Sequence, residues 1–425
     1  MRQLGLIAEY NPLHSGHLSQ IRYLREKLGS DLSLTVALAS NFCQRGAPAL
    51  LDAHQRARMA IRAGADLVIL LPQVFSACEA SAYARAGVRL LTASGVVNIL
   101  TASSEIFDKD VLEEAAALIS PESEDLRLLI RQHIAAGHSP HVARSLALEE
   151  LGTAPELMAC FQWPNSRLVL EYLSALKLSG ADSTCGFFLC PRQNRPEETS
   201  TKPEHGLQWS ASAIRDFLEA KLTDNNVLID WDSVKALSEV MPASSLAILL
   251  AAWQQKELCA EQSFLDCAKL LLLRSSSAEE LAGYRYMENG LAERLFSFAR
   301  ESNSLLDAQT RNFSPARIRR ALLSTCLGIS REDAALYLNE PAFIYPLAFN
   351  KQGKYLLRQM RKKSLLPVFG RFSEALSHSA PQIRYQVEME RRAWAFYAYL
   401  RSKADQQNKL LDAAQELKVK EKSKP

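Results

Sequence analysis

Five short apolar runs, separated by segments of helical periodicity, constrain this chain more than any other feature. They occupy residues 4–8, 32–38, 66–71, 96–100 and 186–190. Between them, Leu18, Ile21, Leu24 and Leu28 recur at helical spacing and Gly29 follows as a stop. Asp52 is placed to cap a helix through residue 63, and further helices are predicted at 78–93 and 166–178. Strand–helix alternation with nearly continuous apolar strands predicts a parallel sheet covered on both faces. Ligands of such sheets bind beyond the carboxyl ends of the strands, so the loops after each strand are where chemistry is expected.

Residues 191–208 are polar, carry Pro191, Pro196 and Pro203, and read as a long loop. Beyond it the texture turns helical, with predicted helices at 231–237, 244–255, 263–273, 278–298, 314–326, 331–338, 352–363 and 385–415. The final 418–424 run is charged and is expected to fray. The chain of 425 residues thus divides into an N-terminal Rossmann-like parallel-sheet α/β domain, 1–225, and an all-α C-terminal domain, 226–425.

Composition removes several classes. Hydrophobic residues make up 48% and charged residues 23%, which excludes wholesale disorder. No window reaches the roughly 18 apolar residues of a membrane helix, and the first apolar run is too short for a signal-peptide core, with no small-residue cleavage site after it. The eight cysteines form no C-x-x-C and have no histidine at zinc-ligand spacing, so reduced thiols, a cytoplasmic location and no protein metal site are expected. The net charge of +3 means that any nucleic-acid surface must come from local clustering.

The sharpest motif is Ala8-Glu9-Tyr10-Asn11-Pro12-Leu13-His14-Ser15-Gly16-His17, directly after the first strand and opening the first helix. Gly16 lets a phosphate approach the backbone, and the helix N-terminus supplies unpaired N–H groups. His14 and His17 share one face of the first turn and suit a phosphoryl group on which charge develops. The competing reading is one structural and one helix-capping histidine. A second motif, Ser210-Ala211-Ser212-Ala213-Ile214-Arg215, reads as a phosphate clamp or as an ordinary helix cap.

H-x-G-H in a strand-to-helix context resembles the nucleotidylyltransferase superfamily, and the second motif is similar to its S-S-x-x-I-R turn. Four more segments follow or precede predicted elements: residues 41–49 with Gln44-Arg45-Gly46, residues 102–105, 163–166 and Pro191-Arg192. In the helical half, 288–295, 314–320 with Arg317-Ile318-Arg319-Arg320, and 345–353 complete the set. Together they resemble the bacterial tRNA(Met) cytidine acetate ligase family over nearly the whole chain. The chain departs from that pattern at Ser40 and Ser103, where the family usually has Gly, and at Ala47, where it usually has Glu.

The resemblance implies ATP binding by Ile7, the motif itself, Leu18, Ser19 and Gln20, with further contacts from Ser103, Asn165 and Arg192. His14 and His17 would be catalytic; Ser210, Ser212 and Arg215 would hold the departing pyrophosphate. It implies acetate as attacking nucleophile, acetyl-adenylate as intermediate, and the wobble cytidine of elongator tRNA(Met) as acceptor. Mg²⁺ is expected with ATP. Gln44, Arg45 and Gly46 read as a substrate loop or a structural turn.

Two basic segments fit an RNA partner. Arg317, Arg319 and Arg320 lie in one acid-free stretch, and Lys351, Lys354, Arg358, Arg361 and Lys362 form a stripe at helical spacing, with Leu356, Leu357 and Met360 facing inward. A solvated helix face is the competing reading. His133, His138 and His141 are read as surface or helix-end residues. Trp394, Phe396, Tyr397 and Tyr399 are read as core. No stable protein partner is expected. Two other functions stay open: a small-molecule adenylyltransferase, and an RNA-binding homologue with weakened catalysis.

Overall fold

In the computed structural model, residues 2–29, 31–192, 199–200, 208–223, 229–302 and 304–422 are described. Five parallel strands, β1 (Arg2–Ala8), β2 (Leu32–Ala39), β3 (Leu67–Leu71), β4 (Ile99–Ser104) and β5 (Gly186–Pro191), form the expected sheet. β6 (Thr199–Ser200) and β7 (Gln208–Trp209) pair with each other. Most of the polar 191–208 loop lies outside the described residues.

The sheet order is β5-β4-β1-β2-β3-β8, and its last member is not expected from sequence patterning. β8 (Pro346–Phe349) comes from the helical half and pairs antiparallel with β3, with a register irregularity between Val68 and Ile69. The C-terminal half is helical apart from this strand. Order reverses at β1, which lies between β4 and β2, so the crevice beyond the carboxyl ends of β1 and β4 is the topological switch point.

Both faces are covered. On one, Ala37, Ile69, Leu71 and Ala102 meet the helices Ala80–Ala93 and Pro164–Leu178. On the other, Leu4, Leu6, Val36 and Leu38 meet Ser15–Leu28 and Ala53–Ala63. All eight residues of β2 are buried. The C-terminal helices extend both cores: Phe264, Leu322 and Tyr397 join the first and Leu237, Leu249 and Trp253 the second. Asp52 caps Ala53–Ala63 as its sequence position implies, accepting from Gln55 N at 2.8 Å.

Several expectations need correction. The fourth strand begins at Ile99, not residue 96, and runs through Ser104, so Ala102, Ser103 and Ser104 lie in the strand and not after it. The predicted 278–298 helix is two helices, Ala278–Ala282 and Leu291–Glu301. The break contains Tyr286, Asn289 and Gly290 at positive φ, and Arg285 is drawn off to pair its N–H with Ile329 O at 3.0 Å. The backbone of the last helix, Pro381–Lys422, continues through most of the charged run expected to fray; residues 423 and 424 lie outside the described residues. Tyr399 is 53% exposed, unlike buried Tyr397. Four helices between residues 109 and 162 are not anticipated by the sequence patterning. His133 and His138 sit at the end of one of them and beyond it, and His133 pairs with Glu150 at 2.9 Å.

Candidate active site

β1 delivers the H-x-G-H motif to the switch point. His14 is the N-cap of Ser15–Leu28 and His17 its third residue. Gly16 N donates to His14 Nδ1 at 3.1 Å, and His14 N donates to His17 Nδ1 at 3.2 Å. Backbone donors on both Nδ1 atoms place each ring's proton on Nε2. The rings lie 3.8 Å apart between centroids and tilted by 36°. Burial, and then the Arg192 guanidinium, lower the His14 imidazole to about 4. Burial, His14 and Arg192 hold His17 well below the usual value. Both are therefore neutral near pH 7, each with one N–H to give. The capping reading is met, and because capping uses Nδ1 it leaves each Nε2 to face a ligand.

The second motif meets the first. Ser210 Oγ accepts from Ala213 N at 3.1 Å and caps the helix Ala211–Thr223. Arg215 donates to Asn11 O at 2.7 Å and to Ser212 Oγ at 3.0 Å. Residues 204 positions apart are thereby tied across one crevice. A third anchor was missed. The Glu105 carboxylate, just past β4, accepts from Asn165 Nδ2 at 2.6 Å and Ser166 N at 2.9 Å, and lies 3.8 Å from Arg192 Nε. Asn165 and Arg192 are held in place by a buried charge, and nothing in local sequence spacing marks that role.

These groups line one cavity of about 650 Å³. Ile7, Ala8, Glu9, Tyr10, Asn11, His14, Gly16, His17, Ser19 and Gln20 line it, as do Ser103, Asn165, Arg192, Ser210, Ser212 and Arg215. Pro12, Leu13, Ser15 and Leu18 are not in its wall; Leu13 packs fully in the core. Tyr10 lines the cavity, and its hydroxyl is buried with no hydrogen-bond partner. Reasoning from sequence missed Tyr83, Glu219 and Glu261 in the wall. Glu219 lies one helical turn after Arg215, a spacing that pointed to it; burial and Glu261 beside it push its carboxyl up. Among the described residues, no cluster of three His, Cys, Asp or Glu side chains could hold a metal ion.

The loop after β2 is built as a turn and reaches the cavity through Arg45, while Gln44 and Gly46 do not line it. Gln44 N donates to Glu9 Oε1 at 2.7 Å, and Gly46 N to Cys43 O at 2.8 Å. Gly46 has φ +83, and a Cβ there would lie 2.6 Å from Arg320 N, so a larger residue would displace the loop from the helix Pro315–Leu327. Behind the loop, fully buried Arg56 donates to Leu51 O, Glu9 O and Ser40 O and fastens the ends of β1 and β2. The Ser40 hydroxyl donates to buried Glu390 of the last helix. Glu390 also accepts from Gln73 N and Trp394 Nε1, yet burial pushes its carboxyl up to about 7. Ala47 and Ser103 line the cavity.

The basic residues divide into two groups. Arg319 lines the cavity and pairs with Glu261. Arg320 donates to Gln44 O and covers the Tyr286 ring; Arg317 donates to Glu288 O and covers Phe313. These three are half-buried and committed within the protein. Lys351, Lys354, Arg358, Arg361 and Lys362 are all exposed on the helix Lys351–Lys363, with Leu356 and Met360 buried beneath.

The cysteines are all free thiols, buried except for half-buried Cys326. No helix among the described residues is long and apolar enough to cross a membrane.

Residues 1–411 match the family described as HIGH Nucleotidyl Transferase. The tRNA(Met) cytidine acetate ligase of Syntrophomonas wolfei is 32% identical over 387 residues, 88% of either chain. That of Acetivibrio thermocellus is 29% identical over 407 residues, 93% of this chain and 94% of its own. The crystal structure of Thermotoga maritima TmcAL bound with alpha-thio ATP superposes with a TM-score of 0.82 at 25% identity, covering 94% of this chain and 95% of that one. With two interlocked motifs at the switch point, likeness along almost the full length places this chain in the HIGH nucleotidyl transferases and, within them, in the tRNA(Met) cytidine acetate ligase family.

Proposed function

We propose that the chain acetylates N4 of the wobble cytidine of elongator tRNA(Met), using ATP and free acetate. An acetate oxygen attacks the α-phosphorus, the bond to the β-phosphate oxygen breaks, and pyrophosphate leaves with the electron pair. The cytidine N4 then attacks the acyl carbon, gives up a proton, and AMP leaves as the phosphate monoester. The products are N4-acetylcytidine, AMP and pyrophosphate.

The observation that carries this reading is the pair of neutral imidazoles, each with Nδ1 occupied and Nε2–H left to donate. Two preorganised donors beside Arg192 suit the charge that builds on the α-phosphate oxygens. Ser210, Ser212, Arg215 and the N-terminus of Ala211–Thr223 suit the β- and γ-phosphates. Ser103 and Asn165 line the same cavity and suit the nucleoside, and the buried Tyr10 hydroxyl supplies a further polar partner. Mg²⁺ would enter on the triphosphate oxygens and neutralise charge there. Gln44, Arg45 and Gly46 form the substrate side, with Arg45 in the wall. Arg319 and Arg320 stand against that loop, and the stripe from Lys351 to Lys362 meets RNA phosphate. Free buried thiols fit a reducing cytoplasm.

The test is incubation with ATP, labelled acetate, Mg²⁺ and unmodified elongator tRNA(Met), followed by digestion of the RNA to nucleosides. Label in N4-acetylcytidine is the expected result. Absence of label together with absence of acetate-dependent ATP–pyrophosphate exchange would overturn the reading.

A further inference from the structure

The basic stripe and the cavity lie at opposite ends of the sheet. Asn350 N, at the start of the Lys351–Lys363 helix, bonds Asp66 O at 3.0 Å, and Asp66 immediately precedes β3. At the other end of that helix, Leu365 N bonds Ala93 O at 2.9 Å, and Gly95 is packed against Lys363, ahead of β4. Both ends of the helix are therefore fastened at the amino ends of parallel strands. His14, the 41–48 loop and Arg192 all follow carboxyl ends. β2 has eight residues, so the two ends are about 25 Å apart at roughly 3.3 Å per residue.

The stripe is chemically unlike an ordinary solvated face. Residues 351–363 contain six cations and no acid. Among the described residues none of Lys351, Lys354, Arg358, Arg361, Lys362 or Lys363 has a carboxylate within ion-pair reach. Cations crowded on one face repel one another unless an anion is present. Two aromatic residues stand among or beside them, Tyr355 and Phe349, each 49% exposed. Cations with interleaved exposed rings suit phosphates with stacked bases or riboses.

We propose that this surface docks a second part of the RNA substrate, remote from the reacting cytidine, so that one RNA is gripped at both ends of the sheet. The inference rests on the proposed acetylation of tRNA. A partner that placed only one nucleotide in the cavity would leave the stripe untouched. A folded RNA extending about 25 Å or more from the reacting base reaches both ends. On that view the cavity selects the base, and the stripe selects an RNA with an extended, rigid body.

The test is hydroxyl-radical footprinting of unmodified elongator tRNA(Met) with the full-length protein and with a variant carrying Lys354→Gln, Arg358→Gln, Arg361→Gln and Lys362→Gln. The wild type should protect the anticodon loop and a second, separate segment. The variant should lose the second protection and keep the first. Its salt slope for tRNA binding should be shallower by about three, since each phosphate left without its cation removes about 0.7–0.9 from the slope. Its RNA-free, acetate-dependent ATP–pyrophosphate exchange should match the wild type, which checks that the fold and cavity are intact. Acetylation by the wild type with protection confined to the anticodon loop would overturn the remote surface alone. A variant with an unchanged footprint and salt slope would overturn it equally. Failure of the wild type to acetylate tRNA would instead sink the functional reading, and this inference with it.

Discussion

Acidification is the most informative perturbation, because the two imidazoles are neutral for a structural reason. Their Nδ1 atoms accept backbone N–H groups, and burial beside Arg192 disfavours a second proton. At pH 5.5 a histidine with the ordinary value near 6.5 is about nine-tenths protonated. His14, at about 4, is only about one-thirtieth protonated there. The kcat/KM for ATP in acetate-dependent pyrophosphate exchange reports the free enzyme. Measured at saturating acetate, it should stay flat from pH 8 to about 5.5. The same shift affects stability. The unfolded chain binds the proton first, so the contribution is fully present above about 6.5 and is lost as pH falls towards 4. A shift of about 2.5 units corresponds to about 3 kcal/mol, and about 2 kcal/mol is a fairer figure for a half-buried ring screened by solvent. An acid limb in kcat/KM centred near 6.5, and abolished by His14→Asn or His17→Asn, would refute the reasoning.

Other perturbations follow from the same contacts. The His14→Ala/His17→Ala double variant should lose about 10²–10³-fold or more in adenylation rate; unchanged exchange would remove both residues from the chemistry. Glu105→Gln removes the charge that holds Asn165 and Arg192. Charged hydrogen bonds of about 1.5–3 kcal/mol translate into a KM for ATP raised about ten- to hundredfold; an unaltered KM would show that Glu105 orients nothing. Glu390 behaves oppositely to the histidines, since its folded value is raised to about 7: its contribution is complete at acid pH and declines as pH rises through 7. Denaturant titrations should therefore find Glu390→Gln more costly at pH 5 than at pH 8, and an equal cost at both would contradict a raised carboxyl.

Much of the sheet, and the two motifs that meet at the cavity, were legible because each rests on local patterning. The 4–8 and 32–38 runs sit in β1 and β2 and Gly29 ends the first helix, since apolar strands and a glycine stop are local signals. Non-local features were not legible. Val96 and Val97 look like strand residues but are buried ahead of Ile99, so β-branched character moved the predicted start. β8 has four residues and begins at Pro346; the free edge of β3 makes it a strand, which its own sequence does not announce. The helix break at 283–290 follows from contacts to Ile329 and Val74. In the site, His14, His17, Ser210 and Arg215 were readable from spacing. Tyr83 and Glu261 were not, because distant elements bring them to the cavity, and neither was Glu105, which distant elements bring to Asn165 and Arg192. The basic residues were readable as cations, but their division between loop scaffold and free surface depends on which acids and carbonyls the fold puts beside them.

The closing of the sheet by β8 also sets a clock. β3 is complete in the nascent chain at Leu71, and its edge partner begins at Pro346, 275 residues later. At about 5–20 residues per second, synthesis leaves that edge waiting for roughly a quarter of a minute to one minute. During this time the N–H and C=O groups on the outer side of Leu67–Leu71, in a run of Leu, Val and Ile, have no strand to pair with. Ribosome-bound chains stalled between residues 80 and 340 should accordingly be the aggregation-prone species. A mutation that slows docking of residues 346–349 should reduce the yield of soluble protein before it affects any property of the finished enzyme.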